Sequence, residues 1–133
     1  MNLIDTNIII ELLLEQEKAK DVRKFFDEIP SSEIFISDFS LHSIGIFLLK
    51  IKMPDVLRRF IEDLIMFGDI QVLSLNSSEL IDVMEIAGRF HLDFDDAYQY
   101  TIAEKYDLHI ISFDKDFDKT EKKRKEPLDV LKC

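Results

Sequence analysis

The sequence predicts an α/β fold, a three-layer α/β/α sandwich with a central parallel sheet and a helical pair beside that sheet. Three observations predict it. Short apolar runs alternate with stretches of helical periodicity along the chain, and such alternation favours a parallel sheet covered on both faces. The 133 residues suffice for one domain with a real core and are too few for two ordinary ones. A composition of 47% hydrophobic and 33% charged residues belongs to a chain that buries a core rather than one that stays disordered. No repeat or linker divides the chain, so residues 1–133 are read as a single domain.

Met1–Ile4 reads as the first strand, after which Ile8, Ile9, Leu12 and Leu13 give a helical apolar face running to about Glu15. Val22, Phe25, Phe26 and Ile29 mark a second helix that Pro30 stops. Ile34-Phe35-Ile36 is a short buried strand between Ser31-Ser32 and Ser37-Asp38. Leu41, Ile44, Phe47, Leu48 and Ile51 continue as a third helix, and Pro54 opens a fourth through Phe60 and Leu64. These two are the helical pair. Ile70–Leu75 is the next strand; Asn76, Ser77 or Ser78 caps a helix carrying Leu80, Val83, Met84 and Ala87, with Gly88 near its end. Asp93 caps a helix through Ala97, Tyr100, Thr101 and Ala103 that ends around Asp107, and Leu108–Ser112 follows as a strand. The stretch Glu121 to Glu126 is polar, and Pro127-Leu128-Asp129-Val130-Leu131 offers an edge strand. Right-handed crossovers complete the sandwich.

Several classes are excluded. Cys133 is the only cysteine, so neither an internal disulfide nor a thiolate metal cluster forms. No apolar run approaches the roughly 20 residues that span a bilayer. Asn2 and Asp5 stand where a secretory signal carries basic residues, and Glu11 interrupts the first apolar stretch, so a cytoplasmic protein without membrane association is expected. The formal net charge of −10 opposes indiscriminate nucleic-acid binding, because Lys and Arg supply phosphate contacts. The basic groups Lys50, Lys52, Arg58, Arg59 and Lys119 to Lys125 read as solvated surface. With only Gly45, Gly68 and Gly88, no glycine-rich phosphate loop exists. A haloacid-dehalogenase-like phosphatase would want an Asp two residues after Asp5, where Asn7 stands.

The chemistry-bearing residues are acids at element boundaries. Asp5 follows the first apolar run, Asp114 and Asp116 follow the run Leu108–Ile111, and Asp96 opens the helix between them. If those runs are neighbouring parallel strands, the carboxylates emerge at one sheet edge, where α/β folds place their sites. Carboxylates that close repel one another unless a cation or protonation offsets the charge. Oxygen ligands suit Mg²⁺ or Mn²⁺. Asp93 is assigned to helix capping and Asp118 to the surface, while His91 and His109 show no ligand spacing.

Three segments carry a family resemblance, in order and across nearly the whole chain. Asp5-Thr6-Asn7 after an N-terminal strand, Asp93-Phe94-Asp95-Asp96-Ala97 opening a helix, and Ser112-Phe113-Asp114-Lys115-Asp116-Phe117 after a late strand resemble the PIN domain. Single-domain members of this length are similar to the VapC toxins of prokaryotic toxin–antitoxin pairs. The resemblance implies a Mg²⁺- or Mn²⁺-dependent ribonuclease that hydrolyses RNA phosphodiester bonds and leaves a 5′-phosphate. It makes Asp5, Asp96 and Asp114 catalytic and metal-binding, with Asp116 a further ligand. Thr6 and Asn7 would support Asp5 through hydroxyl and amide hydrogen bonds, and Ser112 is a further supporting residue. Tyr98 and Gln99 match no family acid and receive no role. A small antitoxin and a homodimer are implied as partners; the apolar helices Ile44 to Ile51 and Val56 to Phe67 also hint at a dimer.

The sequence departs from the family pattern at one position. PIN domains usually carry a Glu in the helix after their second strand; here the register puts Ser43 there, and no Glu occurs from Ile34 to Ile61. A hydroxyl is a neutral, weaker ligand than a carboxylate. Two compensations are available: Asp38 reaching the pocket from the start of that helix, or His42 supplying an imidazole. Against these stand helix capping for Asp38 and a metal-free helix position for His42. Two functions therefore remain open, an active endoribonuclease and a catalytically weak or inactive PIN-like module that binds RNA or protein.

Overall fold

Five short strands, Asn2–Ile4 (β1), Ile34–Ser37 (β2), Gln71–Leu73 (β3), His109–Ile111 (β4) and Arg124–Lys125 (β5), form one sheet in this computed structural model, which describes residues 1–131. Cys133 lies outside the described residues. Every neighbouring pair is parallel, and the spatial order is β3-β2-β1-β4-β5. The chain thus builds outward from β1 to β3 and then returns to lay β4 on the other side of β1. That reversal opens a crevice at the carboxyl ends of β1 and β4, the ligand position of doubly wound sheets. In the register Asn2↔His109, Leu3↔Ile110, Ile4↔Ile111, Asp5 and Ser112 are the next residues on each strand. The Asp5 N–H donates to the Ile111 carbonyl at 3.0 Å.

Seven helices among the described residues cover the sheet: Thr6–Leu13 (α1), Ala19–Glu28 (α2), Asp38–Lys50 (α3), Pro54–Phe60 (α4), Leu80–Phe90 (α5), Phe94–Tyr106 (α6) and Pro127–Val130 (α7). Alternation along the strands divides the core. Ile4, Ile34, Ile36 and Ile111 pack with Ile8, Val22, Phe25, Ile44, Leu48 and Phe60 on one face. Leu3 and Ile110 pack with Val83, Ile86, Tyr100, Ile102 and Phe117 on the other. Each fully buried aliphatic side chain contributes roughly 1.5–3 kcal/mol of apolar transfer. Helix α6 is buried at every position from Asp96 to Ala103, so its polar residues need partners inside the protein.

Local chemistry moves some boundaries. Residues 127–130 form α7 rather than an edge strand, because Pro127 stands in the first helical turn and Glu126 and Asp129 make a reciprocal capping box. The edge strand is Arg124–Lys125 instead. Gly88 lies inside α5, which runs to Phe90 and stops where His91 turns left-handed, φ 55°. Neither Asn76 nor Ser78 caps α5 itself: the Asn76 side chain accepts from Glu79 N–H and Ser78 Oγ, forming a turn before a helix that begins at Leu80. The fourth helix changes character after Phe60, and Ile61–Met66 is a π-helix. Gly68 follows it because a Cβ there would lie 2.5 Å from the Asp63 carbonyl oxygen and 2.7 Å from that of Leu64. No helix among the described residues is long and apolar enough to cross a membrane.

Candidate functional site

Asp5 is the first residue past β1 and the N-cap of α1, in extended conformation with φ −74° and ψ 157°. Its Oδ1 accepts from Thr6 N–H at 2.8 Å and Gln99 Nε2 at 3.1 Å; its Oδ2 accepts from Ser112 Oγ at 2.6 Å and Asn7 Nδ2 at 3.3 Å. Four donors occupy the roughly four lone-pair positions a carboxylate offers. Burial pushes this carboxyl above its ordinary range and the Asp114 charge adds to the rise, while the bonds from Ser112, Gln99 and Thr6 pull it back. The orienting groups are themselves tied: Asn7 Oδ1 accepts from Phe113 N–H at 3.2 Å, and Ser112 Oγ from Asn7 Nδ2 at 3.2 Å and Asp114 N–H at 2.9 Å.

The other acids arrive from two elements. Asp96 sits in the first turn of α6, and Asp114 caps the 3₁₀ turn Lys115–Lys119 after β4, its Oδ1 accepting from Asp116 N–H at 2.9 Å. One ligand oxygen from each of Asp96, Asp114 and Asp116 lies within 4.8 Å of the others. A single hard cation can span such a set, and the donor chemistry fits Mg²⁺ or Mn²⁺. Asp116 is exposed and 3.5 Å from Lys119 Nζ. Burial, then the charges of Asp114, Asp95 and Asp5, push Asp96 up to about 8, the repulsion a bound cation would relieve.

Asp5, Asp95, Asp96 and Asp114 line one cavity of about 430 Å³. Thr6, Asn7, Ser43 and Gln99 share the wall, and Ile10, Phe39 and Phe47 supply its apolar part. No Lys or Arg lines it, and neither does Asp116. Of the three substitutes for the missing Glu, only Ser43 is in the wall. Asp38 is engaged elsewhere, its Oδ1 accepting from Phe39 N–H and Tyr98 Oη, each at 2.8 Å. His42 is exposed and outside the cavity wall. Thr6 supports Asp5 through its backbone N–H, whereas its hydroxyl donates to Ser40 Oγ at 2.9 Å. Asp93 occupies the N-cap position of α6 without a side-chain cap bond, and the Asp95 carboxylate accepts from Asp96 N–H instead.

Sequence reasoning missed Gln99 and Ser40. Gln99 Nε2 donates to Ser40 Oγ at 2.7 Å as well as to Asp5, and its Oε1 is buried without a partner. Ser40 Oγ thereby joins Thr6 to Gln99. A signal existed: Gln99 stands three residues after Asp96, on the same helix face, within a run of aromatic and apolar residues that reads as buried.

Solved structures of the same shape include a toxin and a toxin–antitoxin complex. VapC20 of Mycobacterium tuberculosis, a sarcin–ricin-loop-cleaving toxin, matches with a TM-score of 0.76 and 15% identity over 89% of this chain and 93% of that one. A toxin–antitoxin complex from Klebsiella pneumoniae matches with a TM-score of 0.77 and 18% identity, covering 96% and 98%. FitAcB from Neisseria gonorrhoeae gives a TM-score of 0.74 and 20% identity, covering 96% and 99%. These likenesses concern the fold. No match to a curated protein was found. The PIN domain model matches residues 3–123, a span that holds Asp5, α6 and the β4 edge, and the chain belongs to the PIN domain family.

Proposed function

We propose that the protein is a metal-dependent endoribonuclease and the toxin of a toxin–antitoxin pair. The observation that carries the reading is the convergence of Asp5, Asp96 and Asp114 on one cavity at the β1/β4 crevice. When bound, Mg²⁺ or Mn²⁺ would supply charge for a phosphate oxygen and a more acidic water. Asp96, Asp114 and Asp116 would hold the ion. Asp5 would join them by releasing one of its four donors, Asn7 Nδ2 at 3.3 Å being the longest contact. Ser112 and Gln99 fix the direction in which the Asp5 oxygens face, and Ile10, Phe39 and Phe47 supply apolar lining that limits water in the cavity. Hydrolysis adds water across the phosphodiester and leaves a 5′-phosphate. A small antitoxin would neutralise the activity by occupying a groove near this cavity; a toxin–antitoxin complex among the similar folds supports that partner.

Incubation of the full chain with single-stranded RNA and Mn²⁺ tests the reading. Asp5→Asn and Asp96→Asn should each lower cleavage by about 100-fold or more, the scale of losing a preorganised electrostatic group. Cleavage that ignores both substitutions would belong to a contaminant and defeat the proposal.

Ser43 in the cavity wall favours a second reading, a PIN-like module with weak or no catalysis that binds RNA or protein. Calorimetry separates the two: divalent binding supports the enzyme, its absence the module. In the same experiment Ser43→Glu should tighten divalent binding by about tenfold, because affinity follows the number of charged ligands. No change would mean that position 43 does not face the ion.

A further inference from the structure

We propose that the phenylalanines beside the acid cavity form a stacking platform for an unpaired nucleobase, so that single-stranded RNA is held by a base next to the phosphate presented to the acids. The inference rests on the nuclease reading and adds the residues that would grip the substrate. Phe39, Ser43 and Phe47 all line the cavity from α3, at four-residue spacing on one helix face. The Phe39 ring lies 6.1 Å from Phe94 and 5.5 Å from Tyr98, and Phe94 lies 6.2 Å from Tyr98. Aromatic surface therefore continues from the cavity wall outward. Phe94 is 50% exposed and Phe47 37% exposed, and Phe94 is only two residues before Asp96.

Charge identifies the occupant. The cavity wall has no cationic side chain, and the chain carries a net charge of −10, so phosphate contacts supply little affinity apart from a bound ion. Stacking on an aromatic ring is indifferent to that charge and tolerant of sequence. A ligand that pairs a flat apolar group with a phosphate matches a cavity whose lining combines phenylalanines with carboxylates. In a duplex both faces of a base are covered by its neighbours, so the platform selects unpaired nucleotides.

The chain contains no tryptophan, which makes Phe94→Trp a unique fluorescent probe. Its emission should be quenched by a mixed-sequence single-stranded RNA oligonucleotide in Mn²⁺ and not by the same oligonucleotide annealed to its complement. Phe94→Ala and the volume-conserving Phe94→Leu should each raise KM about tenfold with kcat changed less than twofold, and Phe94→Trp should restore KM. Quenching without cleavage supports the platform while defeating the nuclease reading. Cleavage with unaltered KM in Phe94→Ala and no quenching overturns the platform alone. A Phe94→Ala chain that keeps its RNA KM but loses a co-expressed protein partner assigns the ledge to that partner and also overturns the proposal.

Discussion

Asp5 and Asp96 are both buried acids, yet their surroundings treat them differently. Asp5 is saturated with donors, so its charge is solvated by the protein; Asp96 faces three other carboxylates. The donor most easily tested is Gln99, only 2% exposed. Gln99→Leu removes its bonds to Asp5 and Ser40 and should lower stability in urea by about 1–2 kcal/mol; an unchanged midpoint would mean those bonds contribute nothing. Asp96 makes a pH prediction. Its folded-state value near 8 exceeds the roughly 3.9 of an unfolded Asp, so between those values the folded chain binds the extra proton. Stability from this group is therefore complete below about pH 4 and lost as pH rises through about 8. Thermal melts in EDTA should fall across that window, and Mn²⁺ should flatten the fall by replacing the proton. A melt in EDTA that rises toward pH 8 would contradict the assignment. Asp5, Asp96 and Asp114, three of the four acids that line the cavity, were legible because each stands just past a strand or at the start of a helix, positions that periodicity locates. Gln99, Ser40 and the Asp38–Tyr98 bond were not, since contacts 59 and 60 residues apart in sequence depend on how α3 meets α6.

At the scale of elements, the strands and most helices follow from apolar periodicity because each face has one burial partner. Hydrophobic pattern fails where a few polar atoms decide. The stretch from Pro127 has alternating character suited to a strand, but its capping box satisfies backbone groups that an edge strand leaves open. The π-helix is another such case: Phe67 N–H donates to the Glu62 carbonyl at 3.0 Å, five residues back, a spacing that apolar residues in Ile61–Met66 do not announce. Gly68 makes that ending possible, since any Cβ at this position would meet the Asp63 and Leu64 carbonyl oxygens. Gly68→Ala must move backbone rather than a flexible side chain and should destabilise the fold by about 1–3 kcal/mol. Gly45→Ala is the control, with nothing within 4 Å of the new methyl and a gain of about 0.5–1 kcal/mol from helix propensity. Equal midpoints for the two variants in urea would refute the close approach.

For the whole molecule, the apolar surface left over by the sheet predicts a homodimer. Ile46 and Leu49 on α3 are 70% and 57% exposed, and Met66 and Phe67 at the end of the π-helix are 62% and 75% exposed. Single exposed apolar side chains are ordinary, but repeated ones on α3 and at the end of the π-helix mark an interaction face, and a two-fold contact lets one face cover itself. Light scattering at micromolar concentration should give twice the 15.6 kDa of one chain. Leu49→Asp should weaken association by at least about tenfold without altering the circular dichroism of the monomer, since Leu49 is outside the core. Salt provides the sharper discriminator. Two chains that each carry −10 repel at low ionic strength, and screening removes that repulsion without weakening apolar burial. The dimer should therefore tighten between about 50 mM and 500 mM salt, where the Debye length contracts well below 10 Å. Dissociation on adding salt would indicate an interface held by ion pairs, and a strictly monomeric chain at every ionic strength would leave the α3 face without a second copy to cover it.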